Sequence, residues 1–138
     1  MTNYDKNWFA GQVGTAETSA ARVVPLLIDL VHPASVVDVG CGLGAWAAEF
    51  LKRGVSDVVG IDGDYVDRSM LKIPAEKFQP RDLSKPLDIG RRFDLALSVE
   101  VAEHLPEGVA DAFVKTLTDA APVVAFSAAL PGQGGNHH

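Results

Sequence analysis

The stretch VVDVGCGLGAW at residues 36–46 constrains the fold of this chain more than any other. Its β-branched, almost wholly apolar start is the pattern of a strand buried on both faces, as in a parallel sheet. Three glycines, Gly40, Gly42 and Gly44, then alternate with single residues. Glycine adopts backbone angles that other residues avoid, and it lets a ligand approach the main chain closely. The stretch therefore predicts a strand, a tight ligand-binding turn and then a helix.

The rest of the chain predicts an alternation of helices and strands. We expect irregular backbone over residues 1–14 and a helix from Thr15 to the pair His32-Pro33, with a kink or break near Pro25. Strands are predicted at 35–39, 57–62, 78–83, 93–99 and 122–130, and helices at 45–53 and 107–120. This order predicts an α/β fold, a Rossmann-like three-layer sandwich around a mostly parallel sheet of about five strands. The glycine turn then lies beyond the carboxyl end of a strand, where such sheets bind ligands.

Bulk properties exclude several classes of function. The chain has 138 residues, enough for one domain, and a net charge of −6, which argues against a nucleic-acid or anionic-membrane surface. Cys41 is the single cysteine, so neither an internal disulfide nor a cysteine-rich zinc site can form. No apolar stretch is long enough to span a bilayer, and the N-terminus lacks the pattern of a secretory leader. We therefore expect a cytoplasmic protein.

Two carboxylates narrow the choice of ligand. Gly40, Gly42 and Ala45 fit the dinucleotide pattern G-x-G-x-x-G/A, so the glycines alone allow a nicotinamide cofactor. Asp38, however, would repel a pyrophosphate and attract an ammonium or sulfonium group. Asp62 ends the second strand, where a carboxylate accepts hydrogen bonds from ribose hydroxyls in both cofactor classes. The structural alternatives are that Asp38 caps nearby amides and that Asp62 is an ordinary turn residue.

Four segments in order, VVDVGCGLGAW, VVGIDGD, RDL and FDLALSVEVAEHLP, resemble the successive motifs of class I S-adenosylmethionine-dependent methyltransferases. The resemblance extends from residue 35 to about residue 128, and the last segment is typical of the small-molecule branch. It implies S-adenosylmethionine as cofactor and methyl transfer to a small-molecule acceptor, with O-methylation preferred. Members have seven strands, so we expect residues 15–138 to form a truncated or minimal domain, with residues 1–14 as a segment that could cover the site.

The resemblance also implies roles for the residues of the first motif. The glycine turn, formed by Gly40, Cys41, Gly42 and Gly44, would line the methionine moiety through its backbone. Asp38 would lie near the ammonium group of that moiety. Each of these roles is carried over from motif position.

The later motifs would hold the rest of the cofactor. By the same resemblance, Asp62 would bind the ribose, and Gly63 would allow close approach beside it. Asp82 would meet the adenine amino group, and the backbone amide of Leu83 would meet a ring nitrogen. Val99 would border the end that donates the methyl group.

The segment E-x-x-E-H after the fourth strand supplies the candidate catalytic residues. We expect His104 to act as a base toward an acceptor hydroxyl, with Glu100 or Glu103 as its helper. The alternative is that His104 caps or packs before Leu105-Pro106. The segment also resembles the metal-binding segment of small-RNA 2′-O-methyltransferases and ubiquinone-pathway O-methyltransferases, which makes a divalent ion the minority interpretation. Many relatives carry EHL without a metal, so we predict no metal.

Two further functions and one partner follow from the same pattern. The chain could be a cofactor-binding module that lacks a complete acceptor site, or, less in keeping with Asp38, an NAD-dependent oxidoreductase. The apolar run VVAFSAAL would form an edge of the predicted sheet. Exposed apolar edges pair with other chains, so we expect a homodimer through this edge.

Overall fold

The computed structural model describes residues 6–99, 101 and 105–127, and of residues 6–14 it describes only the backbone. The helices and strands of this part are, in chain order, α1 (Lys6–Val31), β1 (Ser35–Val39), α2 (Ala45–Lys52), β2 (Asp57–Asp62), β3 (Phe78–Pro80), β4 (Leu95–Val99), α3 (Ala110–Ala120) and β5 (Val123–Ser127). Within it, no helix is long and apolar enough to cross a membrane.

The five strands form one parallel sheet in the order β3-β2-β1-β4-β5. The chain moves outward from β1 to β3 and then crosses back to place β4 on the other side of β1. The strand order therefore reverses between β1 and β4, and the carboxyl ends of these two strands open a crevice. The predicted α/β, Rossmann-like fold is confirmed.

The central strands of the sheet are buried on both faces, which explains their apolar character. All five residues of β1 are buried. One face packs on α1 and α2, with a core that includes Val24, Val36, Ala47, Phe50, Leu95 and Leu97. The other face packs on α3, with a core that includes Val37, Val39, Ala96, Phe113 and Leu117. Successive residues of β1 and β4 alternate between the two cores, as the two-residue period of a strand requires.

Helix α1 begins earlier than the sequence predicts. The prediction of irregular backbone up to residue 14 and of a helix start at Thr15 is wrong over residues 6–14, which are helical. Glycine in a helix interior weakens it by only about 1 kcal/mol, so Gly11 and Gly14 do not end the helix. The helix also continues through Pro25.

Contacts with other residues explain how α1 passes Pro25 and where it ends. Pro25 has no amide hydrogen to donate to the Ala21 carbonyl. Arg53, at the end of α2, donates to that carbonyl instead, at 3.4 Å. The helix ends at Val31. His32 follows with a φ of 50°, and its amide donates a hydrogen bond of 2.8 Å to the Ile28 carbonyl.

The remaining differences concern element ends. β3 stops at Pro80, three residues before the predicted end, and lies at an edge of the sheet, where proline is tolerated. β4 begins two residues later than predicted. The predicted helix at 107–120 starts with a 3₁₀ turn. β5 ends at Ser127, and the predicted continuation to residue 130 lies outside the described residues.

Candidate cofactor site

The glycine turn has a shape that only glycine supports. Gly40, Gly42 and Gly44 have φ angles of 88°, 56° and 92°, in the left-handed region that side chains disfavour. A Cβ atom on Gly40 would also lie 2.4 Å from Cγ2 of Val101, which follows β4. The turn closes with a 2.9 Å bond from the Gly44 amide to the Cys41 carbonyl, and α2 begins directly after it. The main chain is therefore exposed to a ligand in the crevice between β1 and β4.

Asp62 fastens this turn to the end of β2. Its Oδ2 accepts a 2.7 Å bond from the Gly42 amide, and its Oδ1 accepts one of the same length from the Gly63 amide. The hydroxyl of Tyr65 also donates to Oδ1, at 2.5 Å. The carboxylate is buried, with Asp62 5% exposed. Asp62 thus has a structural task in addition to the ribose contact predicted for it.

Asp38 lies at the carboxyl half of β1 and faces a cavity. The residue is 2% exposed, and among the hydrogen bonds of the described residues none involves its carboxylate. Burial, and secondarily the charge of Asp62, raises the pKa of Asp38 to about 7. The alternative in which Asp38 caps nearby amides therefore finds no support. A buried carboxyl group without such partners strongly favours a cation beside it.

The cavity at Asp38 has a volume of about 650 Å³, within the range of small-molecule sites. Its described walls come from α1, the glycine turn, the start of α2, Lys72, and the ends of β4 and β5. These lining residues are Thr15, Ala16, Ser19, Val23, Leu27, Asp38, Gly40, Cys41, Gly42, Leu43, Ala45, Trp46, Lys72, Leu97, Val99, Ala125, Phe126 and Ser127. We call this space the larger cavity.

Lys72 gives the larger cavity a basic group opposite in charge to Asp38. Its amide donates to the Leu43 carbonyl at 2.8 Å, which fixes the residue against the glycine turn. Its Nζ lies 3.4 Å from Oε2 of Glu17 on α1. Sequence inspection missed Lys72 because it follows an irregular loop, and only the fold brings that loop to the turn.

A second cavity, of about 540 Å³, lies beyond the ends of β2 and β3. Its walls are formed by Gly63, Asp64, Tyr65, Pro80, Arg81, Asp82, Leu83, Ser84, Leu105 and Pro106. Oδ1 of Asp82 accepts bonds from the hydroxyl and the amide of Ser84, at 2.5 and 2.9 Å. These bonds, the hydroxyl bond first, lower the pKa of Asp82. Asp82 is thus an ionised acceptor at the rim of this cavity.

The structure brings most of the predicted cofactor residues to these two cavities. The larger cavity includes Asp38, Gly40, Cys41, Gly42 and Val99. The second cavity includes Gly63, Asp82 and Leu83. Two predicted residues, Asp62 and Gly44, line neither cavity. Asp62 is hydrogen-bonded to a residue of each cavity, Gly42 and Gly63. Gly44, which precedes α2, packs on Ile73.

The predicted catalytic residues Glu100, Glu103 and His104 lie outside the described residues. Their roles, and the metal alternative attached to them, stay predictions. In the part of the chain that is described, no cluster of His, Cys, Asp and Glu side chains could hold a metal ion.

Comparison with known families identifies the family of this chain. A family model described as a methyltransferase domain matches residues 14–124. The chain belongs to this family. The predicted class, the S-adenosylmethionine-dependent methyltransferases of class I, is confirmed, and the NAD-dependent alternative is set aside.

Curated relatives of this methyltransferase domain are longer than the chain. The ubiquinone biosynthesis O-methyltransferase of Rhodopseudomonas palustris (strain BisA53) is 31% identical over 77 residues, which cover 52% of this chain and 30% of the relative. The protein of the same name from Methylobacterium sp. (strain 4-46) is 32% identical over 88 residues, which cover 59% of this chain and 34% of the relative. The matched region thus spans about a third of each relative.

Solved structures share the fold of this methyltransferase domain. CalS10, an amino pentose methyltransferase from Micromonospora echinaspora solved with S-adenosylmethionine bound, superposes with a TM-score of 0.75 at 21% identity. That match covers 98% of this chain and 61% of CalS10. DesVI from Streptomyces venezuelae superposes with a TM-score of 0.71 at 18% identity, over 94% of this chain and 58% of DesVI.

Proposed function

We propose that this chain binds S-adenosylmethionine and serves methyl transfer to a small-molecule acceptor, by O-methylation. The observation that carries the proposal is the Asp38 carboxyl group, which is buried in the wall of the larger cavity beside the glycine turn. Such a group stabilises a bound cation. The ammonium and sulfonium groups of S-adenosylmethionine provide positive charge of the required kind, whereas a pyrophosphate would be repelled.

The other described residues fit the remaining parts of this cofactor. Lys72 would attract the carboxylate of the methionine moiety, so Asp38 and Lys72 together match an amino-acid zwitterion. Asp62 offers a fixed carboxylate to the ribose, as motif position implies. The second cavity offers Asp82 as an acceptor for the adenine amino group. The two cavities together provide room for the methionine and adenosine halves.

The chain's own residues would position and shield the reacting groups. When bound, S-adenosylmethionine supplies an activated methyl group, so the protein has mainly to orient donor and acceptor. Leu97, Val99 and Phe126 give the larger cavity apolar lining residues beside the reacting groups. A proton must leave an acceptor hydroxyl, and His104, helped by Glu100 or Glu103, is our proposed base.

The proposed type of acceptor rests on the names of the curated relatives and not on the geometry of the site. The curated relatives are named ubiquinone biosynthesis O-methyltransferases, which supports a hydroxyl acceptor for this chain. The alternative function is a cofactor-binding module without a complete acceptor site. This alternative is supported by the extent of the match, which includes only about a third of the length of each curated relative.

Calorimetric titration with S-adenosylhomocysteine tests the proposal directly. We expect saturable binding by the wild-type chain and a loss of affinity of at least about tenfold in Asp38→Asn, because the charge facing the ammonium is removed. Asp111→Asn is the matched control, since Asp111 is an exposed carboxylate on α3. Absence of binding by the folded wild-type chain would contradict the proposal. Product formation from a phenolic acceptor would then separate the enzyme from the binding module.

We also propose that the chain forms a homodimer through β5. β5 is an edge strand of the described sheet, and its Val123 and Phe126 are 41% and 48% exposed. Unpaired strand edges with apolar side chains associate with other strands. Nucleic acid is not proposed as a partner, because the chain has a net charge of −6.

A further inference from the structure

The Asp62 carboxylate has three hydrogen-bond donors of two kinds. The amides of Gly42 and Gly63 belong to the backbone and hold the glycine turn against β2. The third donor is the Tyr65 hydroxyl, 2.5 Å from Oδ1. Tyr65 is 81% exposed although its hydroxyl reaches a residue that is only 5% exposed. The backbone donors are thus fixed by the fold, while the phenol is held by few contacts and can move.

The tyrosine ring lies directly on Gly63, beside the Asp62 carboxylate. A Cβ atom on Gly63 would be 2.0 Å from Cε2 of Tyr65, so the ring rests directly on the glycine. Gly63 and Tyr65 line the second cavity, and Gly42 lines the larger one. The ring therefore lies at the wall of the second cavity, next to Asp62, whose hydrogen bonds reach residues of both cavities. The close approach that Gly63 was predicted to allow is made in this structure by Tyr65.

Counting donors shows why the phenol and a ribose compete. An ionised carboxylate has about four lone-pair positions, and Asp62 already uses three of them. A ribose diol brings two donors, so one present donor has to leave. The backbone amides cannot leave without opening the turn. Desolvation of the hydroxyl, which reaches the buried Asp62, and next the hydrogen bond to Asp62 raise the pKa of the Tyr65 phenol, so the phenol keeps its proton and remains a donor.

We propose that the Tyr65 hydroxyl occupies the position of a ribose hydroxyl. It donates a hydrogen bond to the buried Asp62 carboxylate, and the side chain must move away before the nucleoside of the cofactor can bind. The inference rests on the proposed function, because it takes Asp62 as the ribose contact. Its consequence is a lower apparent affinity, since only the fraction of molecules with Tyr65 displaced is competent to bind. Tyr65 acts as a positioning residue through Asp62.

Calorimetry with S-adenosylhomocysteine on Tyr65→Phe tests the competition. Removing the hydroxyl weakens the closed arrangement but keeps the ring, so we expect the variant to bind about three- to tenfold more tightly than the wild type. Met70→Ala is the matched control, because Met70 is an exposed residue of the same loop and lines neither cavity. Wild-type binding without a gain in Tyr65→Phe would overturn this inference alone. Absence of binding by all three folded chains would overturn the proposed function with it.

Fluorine NMR gives a second measurement, in which the wild-type chain itself is observed during the titration. The sequence contains two tyrosines, Tyr4 and Tyr65, so 3-fluorotyrosine labelling yields two signals, and Tyr65→Phe assigns them. We expect saturating S-adenosylhomocysteine to shift the Tyr65 signal as the phenol leaves Asp62. A Tyr65 signal that stays in place at saturation would overturn the displacement.

Discussion

At the scale of single residues, the two acids of the site have opposite effects on folding. Asp62 is buried with hydrogen bonds from two backbone amides and a phenol, so its charge helps to hold the glycine turn. Asp38 is buried with its pKa raised to about 7, since burial disfavours its charged form. The sequence predicts both acids equally well. Their different surroundings arise only when distant segments pack together, so the sequence does not distinguish them.

Asp38→Asn should stabilise the protein at high pH. A carboxyl whose pKa in the folded state is about 7 favours folding below its ordinary value near 4, and that contribution is lost as the pH rises toward 7. Above pH 7 the folded state holds a charged, buried group. We expect Asp38→Asn to raise the free energy of unfolding by several kcal/mol, at most on the order of 4 kcal/mol, at pH 8, and by much less at pH 5.

Urea unfolding at the two pH values measures this difference, and the exposed Asp111→Asn is again the control. A stability change in Asp38→Asn that is the same at pH 5 and pH 8 would show that the charge of Asp38 is not responsible. The same variant should lose affinity for S-adenosylhomocysteine, so stability and binding should change in opposite directions.

Lys72→Met should weaken only ligands that carry an amino-acid carboxylate. The substitution keeps an unbranched side chain but removes the positive charge of a residue that lines the larger cavity. We expect affinity for S-adenosylhomocysteine to fall about three- to tenfold and affinity for methylthioadenosine, which lacks the carboxylate, to stay unchanged. Calorimetry with both ligands provides the measurement. An equal loss of affinity for both ligands would mean that Lys72 supports the structure of the site and does not bind the carboxylate.

At the scale of elements, contacts distant in sequence account for what inspection of the chain missed. The strand, turn and helix of residues 36–46 are predicted because their signals are local. The passage of α1 through Pro25 is not predicted, because the Ala21 carbonyl, which has no helical donor there, accepts a hydrogen bond from Arg53 directly after α2. The early start of α1 is not predicted either. Val101 packs on Gly40 only because β4 lies beside β1 in the sheet. Lys72 reaches the site in the same indirect way, through its amide bond to the Leu43 carbonyl.

Gly40→Ala should strongly destabilise the protein, and a second substitution should restore part of the loss. The alanine must adopt a φ near 88° and place its Cβ 2.4 Å from Val101. Left-handed strain costs about 1–2 kcal/mol and overpacking about 1–3 kcal/mol. Shortening the neighbour in Gly40→Ala/Val101→Ala should recover the overpacking part alone.

A double-mutant cycle by chemical unfolding separates the two contributions, with Val101→Ala by itself as the reference for lost burial. Additive losses in the double mutant would mean that Val101 does not press on Gly40.

At the scale of the whole molecule, the proposed homodimer depends on β5, the edge strand of the described part of the sheet. We expect sedimentation to show a dimer, because Val123 is an exposed apolar residue at this edge. Val123→Lys should shift the chain toward the monomer, since a charge on an edge strand opposes pairing. Val114→Lys is the matched control, as Val114 is similarly exposed but lies on α3. A wild-type monomer at all concentrations would contradict the pairing.

The different surroundings of Asp38 and Asp62 also suggest how family members that still use the ligand can be told from members that have lost it. Asp62 anchors the glycine turn through Gly42, so a descendant that had lost its ligand would still be under selection to keep it. Asp38 weakens the fold at neutral pH, so it would drift away once nothing required its charge. In an alignment of related chains, the acid at position 38 is therefore the better marker of continued ligand use. The acid at position 62 indicates only that the glycine turn is retained.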